Sequence, residues 1–170
     1  IRKDYLEALL ENRMFKEFDL EFKKAKYKEV LGKEQHYYQK YLKMFYQHKY
    51  EDLIDELSFI DQENTTLLNF SEWFSSLSYA TMGNEKMALS YKVSSTNNLL
   101  RARIFALLKQ KDSLFQYANR LKRNEVYRLN SDFIIDSYRQ DPLYEELLKK
   151  HYMPITPLNL GEYKNIHKEL

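Results

Sequence analysis

The chain has 170 residues, 44% hydrophobic and 31% charged, with a formal net charge of +2. This length and apolar content fit one folded unit with a sizeable core and exclude a disordered chain. Acids scattered among the bases argue against a polyanion-binding face, and the lack of cysteine excludes disulfides, thiol catalysis and thiolate metal sites.

Three glycines and three prolines are too few to turn an all-β chain of this length, whereas the abundant Leu, Glu, Lys, Gln and Arg are good helix formers. An all-α chain is therefore expected. No run approaches the roughly 18 to 20 apolar residues that span a bilayer. The chain opens Ile1-Arg2-Lys3-Asp4, without a methionine or a signal-like apolar run, and reads as part of a longer polypeptide.

Helical periodicity starts at once. Tyr5, Leu6, Leu9 and Leu10, then Phe15, Phe18 and Phe22, fall at three- and four-residue steps on one stripe of two successive helices. Further helices are expected over 33–47, 51–59, 67–82, 86–93, 99–109 and 113–122, separated by polar breaks at 47–49, 61–64, 83–84 and 110–112. Near the end, Asp141 can cap a helix whose first position is Pro142 and whose buried stripe is Leu143, Leu147 and Leu148. The run Met153-Pro154-Ile155-Thr156-Pro157 cannot continue it, which leaves 151–170 as a tail after a helical domain of residues 1–150.

Pairs of short amphipathic helices cannot bury their apolar faces alone and must stack on neighbours. Tyr79, Gly83 and Ala88 form an aromatic, four residues, Gly, then Ala five residues on. Taking Gly83 as a turn, His48 with Tyr50 and Leu53 occupies the same place 35 residues earlier, and Arg13 with Phe15 and Phe18 another 35 before that. Ala25 then falls at a small-residue position of the second helix, and Lys109, with Phe105, Leu114 and Ala118, forms a fourth unit 26 residues after Gly83.

This pattern resembles the tetratricopeptide (TPR) repeat. The resemblance implies antiparallel helical hairpins, about four degenerate repeats, stacked as a right-handed TPR-like superhelix with a C-terminal capping helix. The family's small residue eight positions into each repeat is here Leu6, Tyr41, Ser76 and Ala102, and the bulkier ones imply wider helix spacing. Another helical-hairpin array or a bundle is the competing architecture. The last third, with Asn130-Ser131-Asp132-Phe133 and Asp141-Pro142-Leu143-Tyr144, resembles the closing segment of TPR regions in bacterial multidomain regulatory proteins.

Nothing in the chain carries an evident chemistry. The four histidines share no three- or four-residue step and no His-Glu-x-x-His pattern, so no metal or cofactor is expected. The carboxylates Asp52, Asp55 and Glu56, and Glu145 and Glu146, lie on polar helix faces where pKa values are not driven apart. Isolated glycines cannot build a nucleophile elbow or a phosphate loop. The basic run Arg120-Leu121-Lys122-Arg123 with Arg128 is offset by acids, so direct nucleic-acid binding is not expected, nor is a membrane partner.

By resemblance, the first helix of each hairpin lines a concave face that takes a protein or peptide. The residues so placed are Gln35, Tyr38, Leu42, Phe45 and Tyr46, then Phe70, Trp73 and Leu77, then Leu99 and Arg103. The Lys and Asn set that chaperone-binding TPR domains use on a C-terminal carboxylate is not at these places. The expected function is a non-catalytic, cytoplasmic scaffold with an aromatic groove for a protein or peptide, a second copy of the chain being one candidate partner. The alternatives are a ligand-sensing regulatory domain of a larger bacterial transcription regulator or signalling protein, and an enzyme subunit using the helices as an active-site wall.

Overall fold

The fold is described from a computed structural model, covering the backbone of residues 2–24, 26–60 and 63–153 and the side chains of 5–24, 32–60 and 63–153. Ala25 and the expected tail beyond Met153 lie outside the described residues. Eleven α-helices and one 3-10 helix follow one another with no strand among the described residues, so the chain is all-α as expected. No described helix is long and apolar enough to cross a membrane.

The helices are α1 (Arg2–Glu11), α2 (Phe15–Phe22), α3 (Lys26–Tyr46), α4 (Tyr50–Ser58), α5 (Thr65–Thr81) and α6 (Glu85–Ala88). They continue as α7 (Lys92–Thr96), α8 (Asn98–Leu107), α9 (Lys111–Ala118), α10 (Arg123–Asn130), the 3-10 helix Phe133–Tyr138 and α11 (Pro142–Lys150). Helix α3 is broken at Gly32, whose φ of 72° and ψ of 167° belong to a region that glycine alone enters readily.

One turn recurs. Arg13, His48, Gly83 and Lys109 each have a left-handed φ, between 55° and 79°. Each N–H bonds the carbonyl three residues back (Leu10, Phe45, Ala80, Ala106) at 2.9–3.1 Å. The next N–H bonds the carbonyl five residues back (Leu9, Met44, Tyr79, Phe105) at 2.8–3.0 Å. This pair is the Schellman closure, which satisfies carbonyls that the helix end would otherwise leave bare. The following residue in each case (Met14, Lys49, Asn84, Gln110) has φ between −84° and −97° and ψ between 59° and 81°, and starts the next helix. The four turns thus share one backbone path at the sites marked out by the 35-, 35- and 26-residue spacing. Tyr152, at φ 55°, closes α11 the same way.

Burial follows the same register. Seven residues before each turn stand Leu6, Tyr41, Ser76 and Ala102, and five residues after stand Phe18, Leu53, Ala88 and Leu114; none exceeds 1% exposure. Each hairpin therefore buries matched positions of its two helices against each other. The first helices then pack in series, α1 on α3, α3 on α5 and α5 on α8. Leu6, Leu9, Leu10 and Phe18 form a small core of their own, joined to the main core through Leu42.

Three expectations need correction. The helix expected over 86–93 is split into α6 and α7, because Tyr91 is extended (φ −77°, ψ 144°) and the Glu72 carboxylate on α5 accepts the Val93 N–H at 2.9 Å. The helix expected over 113–122 stops at Ala118, and α10 follows it, its start fixed by the Glu125 carboxylate on the Lys122 N–H at 2.8 Å. On α11, Tyr144, Leu147 and Leu148 are buried, while Leu143 is exposed. With Asp141 capping Leu143 N–H at 3.0 Å, the inward stripe begins one residue later than its Leu content suggests. α11 packs on α9, and the Lys111–Asp141 ion pair at 2.7 Å ties the starts of these two helices.

Left-handed φ costs a side-chain-bearing residue about 1–2 kcal/mol, partly offset because glycine frees the unfolded chain. Lys109→Gly is accordingly expected to raise stability by up to about 1 kcal/mol and Gly83→Ala to lower it by about 1 kcal/mol, read by thermal melts. In urea denaturation, Leu53→Ala and Leu114→Ala should each cost about 2–5 kcal/mol. Phe59→Ala, at a site 86% exposed, should be near neutral.

Candidate functional site

The expected groove residues come from α3, α5 and α8, which the packing order sets side by side. Phe45, Leu77 and Leu99 are 3%, 4% and 3% exposed and belong to the core, so they present almost no surface to a partner. They point between helices because they occupy the interhelix stripe rather than the outer edge of it. Gln35, Tyr38, Leu42, Tyr46, Phe70, Trp73 and Arg103 are half-buried, and these carry the face that remains.

Their contacts run from helix to helix. The Tyr38 ring on α3 lies 5.2 Å from Phe70 and 5.6 Å from Phe74 on α5. Three residues after Phe70 and on the same side of α5, Trp73 takes the Arg103 guanidinium of α8 over its ring at 5.3 Å. Arg103 Nε is 2.6 Å from Asp132 Oδ2, with only 16% and 12% of the two side chains exposed. The other Asp132 oxygen accepts the Ile134 N–H at 3.1 Å, so one carboxylate caps the 3-10 helix and holds the arginine. Next in sequence, Phe133 reaches back to α3, its ring 5.0 Å from Tyr46 and 6.4 Å from Phe45. On the other flank, Gln39 Nε2 on α3 donates to Glu7 Oε1 on α1 at 3.2 Å.

The electrostatics mark this face as crowded. Burial first, and Glu7 next, push the Tyr38 hydroxyl up to about 12. Burial raises the Tyr46 hydroxyl as well, with Asp132 and Glu11 adding to it. Glu11 at the end of α1 is itself raised, by burial and then by Glu7 and Asp132. Charges from α1 and from the 3-10 helix therefore meet at Tyr46. Phe74, Asp132, Phe133, Glu7 and Glu11 were not among the expected residues. The 3-10 residues are distant in sequence from the repeat register and carry no periodic signal. Among the described residues no group of three or more His, Asp or Glu is placed to hold a metal.

The raised Glu11 pKa has a defined consequence. The folded chain holds a proton there that the unfolded chain releases nearer the ordinary 4.5, so stability falls as pH rises through that window. Glu11→Gln removes the cost, and should raise the melting temperature at about pH 7 while leaving the two chains alike at about pH 3.

Comparison of the chain with protein-family models, with curated proteins and with solved structures gave no match.

Proposed function

We propose that the chain is a non-catalytic interaction scaffold, a TPR-like right-handed stack of helical hairpins that holds a protein or peptide on its concave side. The observation that carries this reading is the recurrence of one left-handed turn at Arg13, His48 and Gly83 at a fixed 35-residue spacing, with the first helices packed in series. A solenoid built that way sets the first helices along one continuous surface, and such surfaces bind extended or helical segments. The small residues at Ser76 and Ala102 and the large ones at Leu6 and Tyr41 make the stack uneven, a TPR relative rather than a regular array.

On this surface the partner meets two rigid aromatic stations, Trp73 under Arg103 and Tyr46 beside Phe133. Aromatic and arginine side chains supply much contact area at low entropic cost, which makes them the strongest anchors of an interface. Trp73, the only tryptophan, is half-buried and packs against the main core, which holds it in place.

The test is capture of partners from source-cell lysate by the wild-type chain and by Trp73→Ala, with helicity matched by circular dichroism. A protein retained by the wild type and lost by the variant is expected, and hydrogen exchange on that complex should show new protection in α3, α5 and α8. Equal retention by both chains, or protection confined to the second helices α4 and α9, contradicts the reading.

A further inference from the structure

A second surface lies at the far end of the chain and does not rest on the Trp73 face. An open cleft of about 900 Å³ forms where α10 meets the turn after α11. Tyr127, Tyr152 and Met153 give it an apolar lining, and Lys122, Arg123 and Arg128 stand around it. Tyr127 and Tyr152 are 66% and 87% exposed, so two large rings face solvent in one place instead of covering core. Tyr152 is also held in the left-handed turn that closes α11, a conformation that costs a tyrosine free energy.

Three cations stand at this cleft. In the lysine-rich cleft between α2 and α3, Lys24, Lys40 and Lys43 are each paired, with Glu21, Glu56 and Asp19. Among the described residues, the charged groups of Lys122, Arg123 and Arg128 have no ion pair or hydrogen bond. The nearby Glu125 carboxylate is engaged with the Lys122 backbone N–H at 2.8 Å. An apolar, aromatic floor ringed by unpaired cations is complementary to a segment that carries both carboxylates and apolar side chains.

We infer that this cleft docks an acidic peptide segment of a partner protein. An aliphatic or aromatic side chain of the segment lies between Tyr127 and Tyr152, and flanking carboxylates pair with Arg123 and Arg128. Three cations around one cleft are too few to track a nucleic-acid backbone, which needs a charged path over several phosphates.

Fluorescence anisotropy on the full chain tests this with three labelled probes: a short peptide of glutamate, leucine and phenylalanine, its lysine counterpart, and an oligothymidylate. The acidic peptide alone should bind, more weakly as salt rises. Arg123→Glu with Arg128→Glu should weaken it at least about tenfold, and Tyr127→Ala, which leaves the charges in place, should weaken it severalfold. Trp73→Ala should leave it unchanged, which separates this cleft from the other face. The inference is overturned if the acidic peptide fails to bind, if the charge reversal leaves its affinity intact, if Trp73→Ala abolishes it, or if the lysine peptide or the oligothymidylate binds as well.

Discussion

The rest of this structure depends on how a helix ends. At Arg13, His48, Gly83 and Lys109 the backbone turns left-handed for a single residue, and two amide–carbonyl bonds close the helix behind it. Nothing else among the described residues is repeated so faithfully. The turn reverses direction within two residues and starts the next helix from a fixed backbone geometry, so the rotation of the second helix about its axis is set by the turn. That rotation is why the residue five places on, whether Phe18, Leu53, Ala88 or Leu114, always lands inside. Only one of the four turns uses glycine. The other three hold a side chain in a disfavoured region, at about 1–2 kcal/mol each, and core burial on both sides of the turn offsets it.

Stacking on this constraint gives a core in two parts. The first hairpin closes over Leu6, Leu9, Leu10 and Phe18, and Leu42 packs against both this cluster and the main one. Polar and aromatic contacts reinforce the seam: Lys43 to Asp19 at 2.5 Å, Gln39 to Glu7 at 3.2 Å, and Phe22 stacked on His36 at 4.5 Å. Tyr46 sits at the same seam and is also where Phe133 arrives from the 3-10 helix. One end of the candidate surface therefore lies where two packing units meet, with Asp132 and Arg103 bracing the surface from the C-terminal half. Such a site is assembled by tertiary packing, and no single helix contains it.

That origin explains what the sequence made legible. The turn positions could be read because a hairpin needs a break and its flanking helices need buried residues at fixed offsets, and both leave marks in residue type. Gly83 showed the turn outright, while Arg13, His48 and Lys109 were visible only through the spacing of Phe18, Leu53 and Leu114 around them. The split between α6 and α7 was not legible, because it depends on Glu72 reaching from α5 to the Val93 N–H, a contact 21 residues away. Helix α10 was hidden by its small apolar stripe, since only Val126 and Leu129 are buried on it. Of the candidate site, Tyr38, Tyr46, Trp73 and Arg103 were expected through the resemblance to the TPR repeat. Their partners Asp132 and Phe133 were not, for a short 3-10 segment has no period by which to foretell its neighbours.

The central claim is that a left-handed residue ends the first helix of each hairpin even where that residue is not glycine. The most direct measurement is backbone NMR of the assigned chain, reading φ at Arg13, His48 and Lys109 from scalar couplings and intraresidue amide–Hα distances. The account predicts positive φ at all three, matching Gly83, with slow-exchanging amides at Met14, Lys49 and Gln110 where the longer closing bonds form. Ordinary helical φ at those residues, or fast exchange of those amides, would mean that the hairpins close differently and that the shared register is not their cause.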